Sequence, residues 1–351
     1  MRLRLLKHVV LGLSLALTTA ACGDDDDDNG ETPTNPGPGD SGDDGGGDGG
    51  DGGGDDGGGD DGGGDEGTDV FELIAARDDL TTLAGLIENL DEETAALIAT
   101  PGLRFTIFAP SDAAFARLGE LGILLTDIPE ASLTAILTYH VLLTPVMASM
   151  IEDDGLLLTA LPLSSLRFDL DAEQNVLING LTRVTEADLE GSNGVVHIVD
   201  TLMIPPQTTG VEFPGSVLDA VVYYSGLSTL AGAANMDIQN ALGSTDGDGI
   251  TLLAPTNEGF GDNPMLIPED AATISTLQYH VIAEPLSSAD IMAATMVGPI
   301  SRETLEGSNV SVSVSDNVVN VNDSTVIFAD LVTSNGVIHV LDAALNPDDA
   351  P

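Results

Sequence analysis

The sequence predicts a mixed α and β fold that is built twice in one chain. Three observations carry this. A ten-residue stretch recurs, first as Thr106–Phe115 (TIFAPSDAAF) and again as Thr251–Phe260 (TLLAPTNEGF). Further landmarks then follow each copy in the same order and at nearly the same distance. Within each copy, segments of helical periodicity come first and short β runs come afterwards.

Met1–Ala21 opens with Arg2, Arg4 and Lys7, continues as the apolar run Val9–Leu17, and ends in small residues before Cys22. The run is too short for a permanent bilayer-spanning helix, and a basic start before a short apolar run is the form of an export signal. Residues 1–21 resemble a bacterial lipoprotein signal peptide. The resemblance implies that Cys22 becomes the new amino terminus and carries a lipid. Because Cys22 is the single cysteine of the chain, no intramolecular disulfide and no cysteine metal cluster can form.

Residues 22–68 are expected to be a tether. From Asp24 to Asp69 the chain is almost wholly Gly and Asp with a few Pro, and holds eighteen acidic residues and no basic one. With no apolar side chains to offset ordering entropy, this segment reads as a coil spanning roughly 35 to 40 Å. Its Asp-Gly runs lack the fixed spacing and apolar position of calcium-binding turns, so no metal is expected there.

The first folded unit is expected over 69–205. Val70–Ala76 and the spacing of Leu80, Leu83, Leu86, Ile87 and Leu90 read as two short helices, and Thr94–Ala99 as a further apolar turn. The recurring stretch then supplies a buried strand (Thr106–Ala109), a Pro that stops ladder donation, and Ser111 as the N-cap of a helix to about Leu118. Asp112 falls in the first turn of that helix, where a negative charge suits the dipole, and Phe115 faces back to the strand. Pro129-Glu130 starts a helix, with Pro at its first position, that ends at Tyr139-His140. Strands are expected at Leu156–Ala160, Leu166–Leu170, Val176–Ile178, Thr182–Thr185 and Val195–Met203, with Asn179-Gly180 and Asn193-Gly194 as turns.

Residues 206–211 read as a stiff linker, and 212–346 repeat the plan before a short tail, 347–351. Helices are expected at Ser216–Tyr224, Leu227–Ala234 and from Pro268-Glu269 to His280. Strands are expected at Val310–Ser315, Val318–Val321, Val326–Leu331 and Gly336–Leu345. At the second corner, Thr256 is the expected N-cap, with Asn257 and Phe260 in the places of Asp112 and Phe115. Gly259 and Gly261 weaken this helix, so a single turn is expected there.

The spacing of the landmarks is nearly constant. Thr251 follows Thr106 by 145 residues, Tyr279-His280 follows Tyr139-His140 by 140, and Asn335-Gly336 follows Asn193-Gly194 by 142. The last pair opens the closing strands, which run on to His197 and Asp200 in one copy and His339 and Asp342 in the other. This ordered set resembles the fasciclin domain family, over about 69–346. The resemblance implies two fasciclin-type domains, each a β-sandwich or wedge with a layer of short helices packed against it. It also implies a non-catalytic adhesion or matrix-binding role. In animal members the Tyr-His neighbourhood is linked to receptor contact, which would fall here on Tyr139, His140, Tyr279 and His280.

From the residues alone, the four matched histidines read as hydrogen-bonding groups between helix and sheet, because no cysteine ligand or metal-binding His spacing accompanies them. Asp200 and Asp342 read as strand-end caps. The eight methionines, Met147, Met150, Met292 and Met296 among them, read as gap fillers at apolar positions. No nucleophile elbow, phosphate loop or dinucleotide fingerprint is present, so no catalytic residue and no cofactor is expected. The chain carries 58 acidic and nine basic residues, for a net charge of −49. Beyond the signal the basic residues are six arginines and no lysine, which excludes nucleic acid as a partner.

The reading is an extracytoplasmic lipoprotein, at the outer membrane or cell surface or facing the periplasm. It presents two heads to a protein or polysaccharide partner. The alternative is a periplasmic carrier with a concave apolar site for a small ligand between the domains. Self-repulsion in so acidic a chain is relieved as the screening length falls from roughly 8 Å at physiological ionic strength to about 3 Å at 1 M salt. The melting temperature, followed by circular dichroism, is therefore expected to rise from low salt to seawater-like NaCl. A flat or falling profile would contradict this.

Overall fold

Two short helices open the first copy, the first of them capped. The Asp69 carboxylate accepts from the backbone N–H groups of Phe71 and Glu72, both at 2.8 Å, and Glu72 returns a bond to Asp69 N, closing a capping box on α1 (Val70–Ala75). The copy continues through α2 (Thr81–Glu88), β1 (Phe105–Pro110), α3 (Asp112–Glu120) and α4 (Glu130–Tyr139). Six strands follow: β2 (Val141–Leu142), β3 (Gly155–Leu158), β4 (Ser165–Leu170), β5 (Val176–Ile178), β6 (Thr182–Gly191) and β7 (Gly194–Val199). The computed structural model describes residues 68–89, 102–171, 173–206, 210–245, 247–261 and 270–351. The expected signal (1–21), Cys22, nearly all of the expected tether, the turn expected at Thr94–Ala99, the middle of the expected linker and the expected Pro268-Glu269 helix start lie outside the described residues.

The second copy runs through α5 (Val217–Tyr223), α6 (Ser228–Ala233), α7 (Met236–Gly243), β8 (Ile250–Pro255), a 3-10 turn (Glu258–Phe260), α8 (Ala271–Tyr279), β9 (Val281–Ile282) and α9 (Ser288–Thr295). It finishes with β10 (Ile300–Glu303), β11 (Asn309–Ser315), β12 (Val318–Val321), β13 (Ser324–Thr333) and β14 (Gly336–Leu341).

Each copy forms a seven-stranded sheet with the same order, β2-β1-β7-β6-β5-β4-β3 and β9-β8-β14-β13-β12-β11-β10. The recurring strand is central, because β1 and β8 pair in parallel with the closing strands β7 and β14, while the remaining neighbours are antiparallel. All six positions of β1 and of β7 are buried, as a strand covered on both faces requires. The long strands β6 and β13 each carry register shifts that bend the sheet into a wedge. The two sheet edges then touch, at Leu142 with Thr159 and at Ile282 with Thr304.

The strand expected at Thr182–Thr185 runs on to Gly191, because the bulges break the alternation that marks a strand in sequence. Those expected to reach Met203 and Leu345 stop at Val199 and Leu341. The sequence reading missed α7, α9 and β10, and Pro129 occupies the N-cap of α4 instead of its first turn.

Both copies lie within one compact unit, Gly62–Pro351. Their shared core joins Phe115, Leu118 and Ile123 of the first to Tyr223, Tyr224 and Leu227 of the second. Phe213, Tyr223 and Tyr224 form an aromatic triangle with centroid separations of 5.8, 6.0 and 5.1 Å. Arg117 sits over the Tyr223 ring at 5.5 Å and donates to the carbonyls of Val222 and Tyr223. The Tyr223 hydroxyl donates to Ala114 O and accepts from Leu202 N, so the polar end of this buried ring is satisfied by the other copy. Gly226 lies so close to the first copy that a Cβ there would stand 2.0 Å from Gly180 O.

Phe115 is 7 % exposed within this shared core. Phe115→Ala is expected to cost about 3 to 5 kcal/mol as a large-to-small core change. Because the core crosses the junction, chemical denaturation should still show one transition, and a loss under about 1 kcal/mol would remove Phe115 from the core.

Candidate functional site

The recurring polar residues converge in each copy on the ends of β1 and β7, or of β8 and β14. At the first corner Ser111 caps α3, with Oγ accepting from Ala114 N at 3.3 Å. Asp112 lies in the first turn of α3, but its carboxylate serves a different helix. It accepts from Thr81 N (3.1 Å), Thr81 Oγ1 (2.6 Å) and Thr82 N (2.8 Å), the open end of α2, which has no side-chain cap of its own. Asp112 thus stands in the first turn of its own helix, as expected, and in addition closes the start of α2. Burial pushes its pKa up, but the donors of Thr81 and Thr82 prevail and hold it below the ordinary carboxylate value.

Asn257 makes the matching contacts in the second copy. Its Oδ1 accepts from Thr229 N at 2.8 Å at the start of α6, and its Nδ2 donates to Ser225 O at 2.8 Å. The second corner is the expected single turn, with Thr256 Oγ1 accepting from Gly259 N at 3.0 Å. Phe260 is buried beneath it.

The Tyr-His pairs are interior. Tyr139, His140, Tyr279 and His280 are at most 2 % exposed, so their side chains serve the interior of each copy. Tyr139 donates to Ser165 O and accepts from Asn179 Nδ2, whose Oδ1 holds Arg167 N. Tyr279, Asn309, Asn322 and Ser311 repeat this arrangement. The sequence reading missed the partnership of Asn179 and Asn322 with the tyrosines. The available signal was that both asparagines recur at the same place between matched strands.

All four matched histidines have both ring nitrogens engaged. His140 donates from Nδ1 to Ile136 O (2.7 Å) and accepts at Nε2 from Met203 N (3.0 Å); His280 does the same with Thr276 O and Leu345 N. His197 and His339 adopt the opposite tautomer, donating from Nε2 to Val146 O and Leu286 O and accepting at Nδ1 from Asp188 N and Asp330 N. A carbonyl can only accept and an amide can only donate, which fixes each ring as neutral and leaves no lone pair for a metal. Among the described residues no group of three or more His, Cys, Asp or Glu is placed to hold a metal ion.

The closing motif fastens each copy to its own beginning. Asn193 Oδ1 accepts from Val70 N at 2.9 Å, and Asn335 Oδ1 accepts from Val217 N at 2.7 Å. Gly194 and Gly336 are needed for close approach, since a Cβ would stand 2.2 Å from Phe105 O and 2.3 Å from Ile250 O. Neither Asn193 nor Gly194 has a positive φ, so the turn here lies at Ser192-Asn193 and not at Asn193-Gly194. Asp200 and Asp342 are strand-end caps, accepting from Arg183 N (2.8 Å) and Thr325 N (2.7 Å).

What faces solvent is different. Met150, Met292 and Met296 are 62, 41 and 85 % exposed, so they do not fill gaps as expected. A cleft of about 470 Å³ lies between the copies and is lined by Asp171, Glu173, Arg183, Asp200, Asn257 and Glu258 together with Leu177 and small residues. Asp171 in its wall is 5 % exposed and pairs with Arg183 at 3.1 Å. A separate apolar pocket of about 90 Å³ lies inside the first copy, lined by residues that include Phe71, Leu83, Ile87, Phe105 and Leu137.

Comparison with known proteins gives matches along most of the chain. The fasciclin domain family matches residues 78–205 and 225–347. Transforming growth factor-beta-induced protein ig-h3 of Oryctolagus cuniculus is 31 % identical over 264 residues, which cover 71 % of this chain and 35 % of that protein. This chain therefore spans about a third of that relative's length. Protein sll1483 of Synechocystis is 35 % identical over 128 residues, 34 % of this chain and 67 % of that protein. Among solved structures, a domain pair from the insect cell adhesion molecule fasciclin I matches with a TM-score of 0.48 and 20 % identity, covering 78 % of this chain and 98 % of that one.

Burial pushes the pKa of His140 and His280 from 6.5 down to about 4. The unfolded chain takes these protons first, so the stability from neutral rings is fully present above pH 6.5 and is lost as pH falls from 6.5 toward 4. Urea unfolding at pH 7.5 and 5.5 should therefore differ by roughly 3 kcal/mol from these two rings together. An unchanged midpoint across that window would contradict the neutral assignment.

Proposed function

Because the chain belongs to the fasciclin family, whose domains are non-catalytic modules linked to adhesion and matrix binding, we propose that it is a lipid-anchored extracytoplasmic protein that presents two fasciclin domains to a surface partner. In this reading residues 1–21 direct export and Cys22 carries the lipid. Residues 22–68 are the tether, and 69–205 and 212–346 are the heads. The partner is a protein or polysaccharide at the cell surface, met from the outer membrane or the exterior.

The observation that most supports this reading is the locked junction. Tyr223 is bonded into the first copy at Ala114 and Leu202, and Arg117 is bonded to the backbone of the second, so the two heads form one rigid surface. A rigid pair presents its contact residues without the ordering cost that two freely moving heads would bring to binding. The motif residues, Ser111 to Asp342, serve this reading as scaffold, because their polar atoms are engaged with the chain itself.

A carrier role needs a concave apolar site of about 300 to 1,000 Å³. The inter-copy cleft is large enough but charged, and the apolar pocket, at about 90 Å³, is below that range. Protease shaving of intact cells is expected to release the heads, and Cys22→Ala to move the chain from membrane to soluble fractions. Deleting 69–346 while keeping the tether should reduce attachment to a matrix or partner cell. Unchanged attachment, with a copurifying small molecule that raises the melting temperature, would favour the carrier.

A further inference from the structure

The duplication lets each surface feature of one copy be compared with its counterpart in the other. Features required by the fold recur, as the tyrosines, histidines and asparagines do. The hairpin between β3 and β4 departs from its counterpart between β10 and β11. Register aligns Leu156, opposite Arg167, with Ser301, opposite Ser311, because Arg167 N and Ser311 N both donate to the matched asparagines. Leu158 aligns in the same way with Glu303. The outward face of this edge is Ser and Glu in the second copy, as a solvated edge should be, and Leu in the first.

The tips differ in the same direction. The second copy turns through Thr304-Leu305-Glu306-Gly307-Ser308, with Gly307 at φ 102°. The first turns through Thr159 to Ser164 and places Leu163 at φ 63°, a left-handed conformation that glycine adopts freely and leucine does not. Leu163 is fully exposed, Leu158 is 77 % exposed and Leu156 63 %. From Gly155 to Leu166 there is no charged residue, in a chain of net charge −49. Strained and largely exposed leucines stabilise nothing in the fold, and the second copy forms its hairpin with glycine at the left-handed position and a single leucine, Leu305, 40 % exposed.

We propose that the β3–β4 hairpin tip of the first copy inserts Leu158, Leu163 and their neighbour Leu156 into the surface of an uncharged lipid bilayer. Charge selects this occupant. A second copy would bring another −49 chain to the contact, and anionic lipid would meet the same repulsion, whereas a zwitterionic surface opposes neither. Exposure agrees, since Leu163 at the turn is fully exposed while Thr159 and Ser164 beside it are buried, so the leucine side chain is what the turn offers to a lipid surface.

A few leucines bind more weakly than the roughly 10⁴ M⁻¹ of a single myristoyl chain, so the contact acts as a second signal beside an anchor. On the anchored reading above, the tether holds the tip near the bilayer and makes a weak contact effective, drawing the first head down toward the membrane. The tip's own affinity does not depend on that reading.

The test uses the full chain prepared without lipidation and phosphatidylcholine vesicles at several millimolar lipid, read by co-sedimentation. A bound fraction is expected, falling at least fivefold in the Leu158→Ser/Leu163→Gly double variant while its melting temperature is unchanged or higher. Adding phosphatidylglycerol should weaken binding at low salt. No partition onto phosphatidylcholine, or equal partition by the double variant, overturns the proposal. A monomer–dimer equilibrium abolished by the same variant would also overturn it, assigning the leucines to a second copy. Failure of Cys22 lipidation in cells would remove the anchored reading and leave the vesicle result standing.

Discussion

A neutral imidazole bonded on both sides holds each copy together. His140 stands where helix α4 ends, donates back into that helix at Ile136 and accepts from Met203 in the segment leaving the closing strand. His280 repeats the arrangement with Thr276 and Leu345. One ring thereby satisfies a helix-end carbonyl and an amide beyond the sheet that would otherwise be buried unpaired, which is costly in a low-dielectric interior. The residues that look most chemical in the sequence are therefore the ones least able to act on anything outside the chain.

The same logic extends to the other matched residues. Asp112 and Asn257 cap helices that begin about thirty residues earlier in the chain. Asn193 and Asn335 tie the last hairpin of each copy to its first helix across 123 and 118 residues. Each link joins elements that are far apart in sequence, so loss of one loosens a closure and not a single turn. Duplication then added a second layer, in which Tyr223 and Tyr224 stand where the first copy has Ala76 and Arg77, and plug the seam between copies.

This arrangement leaves function to the surface. The interior is closed by its own hydrogen bonds, the chain carries 58 acidic against nine basic residues, and the two heads share one core. On the proposed adhesion reading, specificity would come from positions where the copies differ, such as the inter-copy cleft and the apolar hairpin tip of the first copy. Positions where the copies agree maintain the scaffold.

The sequence by itself determined the two-fold plan, the order of helices before strands, the Ser111 cap and the backbone-bonded role of the histidines. These depend on local pattern and on repetition, and both are visible in one dimension. Only the tertiary structure decided which strand pairs in parallel with which, where Asp112 directs its carboxylate, that Tyr139 and Tyr279 are interior, and that Met150, Met292 and Met296 are exposed. The reason is physical. The partner of a buried polar group, and the side of a strand that meets solvent, are fixed by what packs against it from distant parts of the chain. The bulges in β6 and β13 show this directly, because they break the alternation from which a strand's length and facing would otherwise be read.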